Sequence, residues 1–280
     1  MSISLPTWTR REIPLRGRRS RVWAIVGAGL RREMRRPAAI FTIGLGTSIT
    51  TIYSIILVLF APFLLQGQPL DLAFFYTPAS FAAVPFFVTL LAAVVGAGLI
   101  ADDLDTMALT LYLSRPVSAA DYLTAKAAIL AILTGLITIL PMVLTPLLGA
   151  VLGKFAWPLG LEAAALGILL GILLTAFFTS VSLFLSSLTR RRSYAAAALF
   201  AIIFGLIGTE SVLASSGAVN NPSVLYLSPW EDYLTVARVT FGLPGDPINW
   251  AVGLAILLAA TVLAALATWW RMRSMEVVSG

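Results

Sequence analysis

Long apolar runs alternate with short polar connections along most of this chain. Crossing the hydrocarbon of a bilayer takes roughly 20 apolar residues in a helix, and the pattern predicts six such spans. Their expected bounds are 38–65, 81–101, 123–152, 161–188, 194–214 and 248–270. The first span is long enough to tilt, and Pro62 is where we expect it to end. The pattern therefore predicts an all-α integral membrane protein.

Composition agrees with a bilayer location and disfavours several kinds of chemistry. Mean hydropathy is +0.93 and 59% of the residues are hydrophobic, which is more than a water-soluble core of this size needs. The chain has no cysteine and no histidine, so it lacks thiolate ligands and the commonest base at neutral pH. We therefore predict no catalytic residue and no metal site.

Basic residues are distributed unevenly about the predicted spans. Of the 19 Lys and Arg residues, all but Lys154 and Arg238 fall on one side of the membrane. Positively charged connections stay in the cytoplasm, so both termini are predicted to be cytoplasmic. Because the arginines adjoin apolar spans, membrane lipids are the expected partner of this charge, and nucleic acid is not.

Three regions are predicted from this layout: a cytoplasmic part over 1–37, a six-span domain over 38–273 and a cytoplasmic tail over 274–280. Within the first, "SRVWAIVGAGLRREMRRP" at residues 20–37 combines an apolar side with a basic end at helical spacing. This pattern predicts an amphipathic helix lying along the inner leaflet. The alternative is a basic flank with some helicity.

The connection after the second span, "ADDLDTMALTLYLSRPVSAADYLTAK" at residues 101–126, carries four of the 13 carboxylates. We expect the first three, Asp102, Asp103 and Asp105, to be solvated in the cytosol. A short amphipathic helix is predicted next, and its apolar face comprises Leu104, Met107, Ala108, Leu111 and Tyr112. Pro116 then breaks the helix and Ser118 caps the third span. An apolar face without a core of its own predicts docking on a partner protein or on the bilayer surface.

This connection resembles the one between the second and third helices of ABC-2 type permeases. The shared features are an acidic residue, a Thr followed by hydrophobic residues, a Pro-Val-Ser turn and a Lys that opens the next helix. The layout over residues 20–273 is also similar. The family usually has Gly before that Thr, where this chain has Asp105. The likeness implies a prokaryotic plasma (inner) membrane permease that forms a homodimer or heterodimer and works with a separate ATPase subunit.

The resemblance implies that segment 102–122 contains the coupling helix, through which the ATPase subunit delivers force. The implied contact comprises Asp102, Asp103, Asp105, Thr106, Met107, Leu111, Tyr112, Arg115 and Pro116. ATP and Mg²⁺ would be held by the partner, so no cofactor is expected in this chain. The alternative is a solvated helix exit, whereas a metal site is disfavoured because consecutive helical residues point apart.

The connection 215–249 contains a second short helix. Ser228 as N-cap, Pro229 at the first helical position and Glu231 three residues after the cap predict its start. At about 13 residues it is too short to cross a bilayer. It resembles the outer half-helices that cover the exit of the pathway in this family, and an ordinary interfacial helix is the alternative.

Two ionisable residues near the spans need an explanation. Glu210 is the only acid placed well inside a predicted span, and an ionisable group in hydrocarbon must face protein or water. With Trp230 and Glu231 it is a candidate for the substrate path or gate, and helix pairing or interfacial anchoring is the alternative. Lys126, at a span end, is expected to extend to the surface.

Two classes of function remain. The first is an ATP-driven permease that exports an amphipathic lipid, peptide or drug-like molecule by alternating access. The second is a secondary transporter or channel that does not depend on ATP, which typically shows ionisable residues at mid-depth or an internal repeat. "GAVLGK" at residues 149–154 lacks the spacing and the Ser or Thr of a phosphate-binding loop. We therefore expect this chain alone not to act on ATP.

Overall fold

A computed structural model describes residues 17–66, 70–107, 118–216, 222–244 and 248–278. Over these residues the protein is all-helical, with short helical turns at Leu72–Phe75, Tyr76–Ala79 and Pro222–Leu227. The main helices are α1 (Arg18–Glu33), α2 (Pro37–Leu64), α3 (Ala83–Asp105), α4 (Ala119–Val151), α5 (Trp157–Leu188), α6 (Arg192–Ser215), α7 (Pro229–Thr240) and α8 (Trp250–Val278).

Six of these helices, α2, α3, α4, α5, α6 and α8, are long and apolar enough to cross a membrane. The predicted number of spans is confirmed, although several helices extend past their apolar runs. Helix α4 begins at Ala119, four residues before its predicted start, because the Ser118 side chain accepts a hydrogen bond from the Asp121 N–H. Pro62 lies inside α2, which ends two residues later at Leu64.

Helices α4 and α5 form the most extensive contact of the bundle. Small residues allow this approach, since a Cβ atom at Gly171 would come within 2.7 Å of Ile139 Cγ1. The Thr138 and Thr175 hydroxyls hydrogen-bond across the same contact at 2.7 Å. Helix α2 packs on α4, and α8 packs on α5 and α7, so α4 and α5 form the centre around which the other spans are arranged.

Helix α3 is the most buried span, with 78% of its most apolar window inside the protein. Its middle turn, Ala92–Gly96, is a π-helix, which disrupts the regular ladder of backbone hydrogen bonds. Side chains from neighbouring helices bind the carbonyls of this turn: Ser182 Oγ donates to Ala92 O at 3.0 Å and Arg192 Nη2 donates to Val94 O at 3.0 Å. The irregular turn is therefore held by α5 and α6.

Candidate functional site

The end of α1, the end of α3 and the start of α4 meet at one end of the bundle, which we call the α1 end. This end carries a cluster of charged side chains drawn from all three helices and from the short link between α1 and α2. We call it the charge network. Its members are Arg32, Glu33, Arg36, Asp102, Asp103 and Lys126.

The outer part of the charge network joins the α1 region to α3. Arg36 contacts two acids, with Nη1 at 3.0 Å from Glu33 Oε2 and Nη2 at 3.1 Å from Asp102 Oδ2. Arg32 Nη2 also donates to Asp102 Oδ2, at 3.5 Å. Charge-assisted hydrogen bonds of this kind are stronger than neutral ones, so they fix the end of α1 on the end of α3.

The buried part of the charge network joins α3 to α4. Asp103 Oδ2 lies 2.7 Å from Lys126 Nζ and accepts a 2.7 Å hydrogen bond from the Tyr122 hydroxyl. Asp103 is 3% exposed and Lys126 is 6% exposed. Tyr122 and Lys126 are four residues apart on α4, so one helix face presents both groups to the carboxylate.

Two predictions about these residues are wrong. Asp103 is not solvated at a helix exit, and Lys126 does not extend to the surface; each is buried against the other. The physical reason is that α3 continues past its apolar run to Asp105, which keeps Asp103 inside the bundle beside the first turns of α4. Asp102 is partly buried, and only Asp105 is as exposed as predicted.

Glu33 is the second buried acid of the charge network, at 2% exposure. Burial raises the pKa of its carboxyl above the ordinary value, and the nearby Arg36 and Arg32 guanidinium groups oppose that rise. Three cations and three carboxylates make up the charge network, so it carries no net charge when all are ionised. An electrically balanced cluster can remain in a partly dehydrated site where single charges could not.

A cavity of about 300 Å³ adjoins the charge network between α1, α3 and α4. Arg32, Glu33 and Lys126 form its polar wall, and alanine, glycine and leucine or isoleucine side chains form the rest. Gly29 brings α1 close to α4 here, since a Cβ atom at this position would overlap Ile129 Cδ1. The contact between α1 and the spans therefore depends on a small residue next to a polar cavity.

The predicted coupling segment begins where α3 ends. Helix α3 stops at Asp105, the Thr106 N–H and hydroxyl both bond the Asp102 carbonyl, and Met107 has a positive φ of 56°. The predicted helix is therefore interrupted at Thr106 and Met107, because a left-handed residue cannot continue an α-helix. The related permeases usually have glycine at the position of Asp105. In this chain the left-handed residue lies two positions later, at Met107.

Part of the predicted ATPase contact can be located and part cannot. Asp102 belongs to the charge network, Asp103 is buried in it, and Asp105, Thr106 and Met107 are exposed beside it. Leu111, Tyr112, Arg115 and Pro116 lie outside the described residues. The structure resumes at Ser118, whose side chain caps α4 as predicted.

The other candidate residues lie at the opposite end of the bundle. Ser228 Oγ accepts from the Glu231 N–H at 3.3 Å, which confirms the predicted start of α7. Trp230 stacks on Tyr233 with ring centroids 5.1 Å apart. Glu210, near the end of α6, is 6% exposed and accepts from Ser211 Oγ at 3.4 Å. Glu210 therefore faces protein, as an acid close to hydrocarbon must.

Sequence reasoning missed the pairing of Asp103 with Lys126 and the burial of Glu33 and Asp232. The sequence did contain signals for the pairing of Asp103 with Lys126 and for the burial of Glu33. Opposite charges flank a short connection between successive spans, which are usually antiparallel neighbours, and Glu33 is the single acid within the basic run "RREMRR". Asp232 gave no such signal, because an acid in the first turns of a helix is ordinarily solvated and favourable there.

Six membrane-length helices in the described part of the chain define a multi-pass membrane protein. The sequence matches the ABC-2 family transporter proteins over residues 66–277, which is well over half of the chain. The chain therefore belongs to this family and is the membrane subunit of a transporter, and family membership implies an ABC ATPase subunit as its partner. No curated protein matches the sequence.

Proposed function

We propose that the chain is the permease subunit of an ATP-driven exporter and that the ATPase subunit docks on segment 102–122. The observation that carries this proposal is the charge network. It connects the two helices that flank segment 108–117, α3 and α4, to each other and to α1. A displacement of the segment would therefore move three helix ends together.

The proposal includes the orientation of the protein. The α1 end, with its exposed arginines and the start of α6 at Arg192, is the cytoplasmic end of a prokaryotic plasma membrane protein, with both termini in the cytosol. An ATPase subunit must reach the coupling segment from the cytosol. The positive-inside distribution and the position of segment 102–122 therefore support the same orientation.

Nucleotide and Mg²⁺ are proposed to bind only the ATPase subunit. The chain has no sequence that matches a phosphate-binding loop, and the family is one of membrane subunits that are generally not catalytic themselves.

We propose that the functional unit contains two permease copies, either identical or related. Only 17% of the most apolar window of α6 and 22% of that of α8 is buried inside the protein. The apolar surface left outside the fold of one chain supports such a pairing or a lipid contact.

The cargo is proposed to be amphipathic, such as a lipid, a peptide or a drug-like molecule. The spans are lined almost entirely by apolar and hydroxyl side chains, which suit such a cargo better than a simple ion. Glu210, Trp230 and Glu231 are proposed to line the exit at the opposite end, where α7 packs on α6 and α8. Alternating access would then open and close the path between the two ends.

The test replaces Leu111 with Asp. If the apolar face of the coupling segment fills a groove on the ATPase, a charge placed there without a partner should weaken binding by roughly 2–5 kcal/mol. We expect the ATPase subunit to be lost on copurification, or to remain without cargo-stimulated turnover, while the permease itself still purifies as a folded protein.

Asp105→Asn is the matched control, because Asp105 is exposed. If the apolar face provides the binding energy, Asp105 contributes less to binding of the ATPase subunit than Leu111 does. Copurification and transport should persist in this variant. Parent-like copurification and transport by Leu111→Asp would show that the segment is only a connection, and the proposed coupling would be wrong.

A further inference from the structure

Asp232 is the most unusual acid in the described part of the chain. It lies in the first turns of α7 and is 0% exposed, and neither carboxylate oxygen has a hydrogen-bond partner. Its neighbour Tyr233 is also 0% exposed with an unpartnered hydroxyl. Buried polar groups are nearly always paired, and an unpaired buried carboxylate is strongly disfavoured in its charged form.

The side chain of Asp232 is enclosed by the contact between α7 and α8. Gly253 of α8 lies directly against it, because a Cβ atom at Gly253 would be 3.1 Å from Asp232 Oδ1 and 3.2 Å from the Asp232 carbonyl oxygen. The first 21 residues of α8, Trp250–Trp270, contain no charged or titratable side chain. Arg271 and Arg273 follow only towards the other end of α8, so the turns of α8 around Gly253 offer no cation that could neutralise the carboxylate.

The other described elements that pack on α7 form no ion pair with Asp232 either. Arg238, on α7 itself, donates through Nε to the Tyr76 hydroxyl at 3.1 Å. Arg192 and Tyr194 lie at the start of α6, at the α1 end of the bundle. The remaining charged or titratable groups at the α7 end, on α7 and on the described elements packed against it, are Glu231, Tyr233, Glu210 on α6, Glu162 on α5, and Tyr226 in the turn before α7. All of these are acids or phenols, and none stabilises an ionised Asp232.

Burial raises the pKa of Asp232 to about 7, and the adjacent Glu231 contributes in the same direction. The buried carboxyl thus binds a proton more tightly than the same carboxyl would in water. Proton binding then favours the packed state of α7. That stabilisation is complete below the ordinary pKa of an aspartate and is lost as the pH rises from about 4 to about 7.

We propose that Asp232 is a proton-binding site that locks α7 onto α8. The protonated carboxyl permits close packing against Gly253. When the proton leaves, the charged carboxylate is unpaired in the contact and α7 loosens from α8. The transporter would then have a pH-sensitive element at the end of the bundle opposite the charge network, independent of the ATPase contact.

The experiment uses thiol labelling of the full-length protein in nanodiscs, since the natural chain contains no cysteine. Ala237→Cys places a thiol on the buried face of α7, where Ala237 is 0% exposed. Val239→Cys, on the same helix at a position 41% exposed, corrects for the greater reactivity of every thiol at higher pH. The ratio of the two labelling rates reports how often the buried face of α7 opens.

With Asp232 present, we expect this ratio to rise by roughly tenfold or more between pH 5 and pH 7. Asp232→Asn keeps the shape of the neutral acid and should hold the ratio low at every pH. Glu231→Gln should keep the rise, because Glu231 only adds to the effect of burial.

Three results would overturn the proposal. A ratio that is independent of pH with Asp232 present would show that its proton does not control packing. An equal rise in Asp232→Asn would assign the effect to another group. A ratio that is high at every pH in Asp232→Asn would show that a neutral side chain does not lock α7.

Discussion

At the scale of single residues, three aspartates show how position decides the chemistry of one side chain. Asp105 is solvated, Asp103 is buried with a cation and a hydroxyl donor, and Asp232 is buried without a partner. A buried ion pair contributes little net stability when complete, whereas removing one partner leaves an uncompensated charge. In the charge network, removing one member of a buried pair is therefore expected to destabilise the protein more than removing both members.

Asp103→Asn is expected to lower the free energy of unfolding by roughly 3–5 kcal/mol, because it leaves the buried Lys126 ammonium without its carboxylate. Lys126→Met should have an effect of similar size, because it leaves the buried Asp103 carboxylate without its ammonium partner. The double variant should recover much of the loss, since it removes both charges. Thermal unfolding of all three proteins in the same detergent measures the coupling. Losses that simply add in the double variant would show that the two residues act independently.

At the scale of elements, the π-helical turn makes α3 depend on its neighbour α5. Ser186 Oγ donates to the Ala97 carbonyl at 2.8 Å and accepts from the N–H groups of Ile100 and Ala101 at 3.1 and 3.0 Å. One hydroxyl thus satisfies several backbone groups just after the irregular turn. The end of α3 that carries Asp102 and Asp103 is consequently held from both the α5 and α4 sides.

Ser186→Ala is expected to destabilise the protein by about 1–3 kcal/mol, because it leaves buried backbone groups without their partner. Thr179→Val is the matched control on the same helix. Its buried hydroxyl has no hydrogen-bond partner, so an isosteric apolar side chain should be neutral or slightly stabilising. Thermal unfolding compares the two variants, and equal losses would contradict the role given to Ser186.

At the scale of the whole molecule, two ends with different chemistry face opposite sides of the membrane. The α1 end contains a balanced network of ion pairs, whereas the α7 end contains two buried acids, Glu210 and Asp232. Force from an ATPase subunit and a response to pH would then act at separate places. This separation makes the orientation of the chain the property most worth measuring.

Single cysteines at Ser114 and Ser193 are expected to be protected from a membrane-impermeant thiol reagent in intact cells, and one at Ser216 is expected to react. The reason is that α6 begins at the α1 end, next to Ser193, and ends at the opposite side at Ser215. Labelling after the cells are opened serves as the control for reactivity. Labelling of Ser193→Cys from outside would reverse or break the proposed topology.

The sequence by itself determined the number of spans and the caps of α4 and α7. These features depend on local properties: apolar length against bilayer thickness, and a side chain that bonds the first backbone amides of its own helix. The run of apolar residues did not reveal the helix ends, because a helix continues through polar residues when neighbouring helices can pair them. That is how α3 carries Asp103 into the bundle.

Only the tertiary structure decided which ionisable side chains are paired and which are buried without a hydrogen-bond partner. Asp103 and Lys126 are 23 positions apart in sequence, and their pairing requires α3 and α4 to lie side by side. Asp232 is buried because Gly253, on another helix, leaves room for it. Burial and pairing depend on distances between helices, which no local pattern encodes, and these distances decide whether a carboxylate is solvated, balanced by a cation or favoured as the neutral acid.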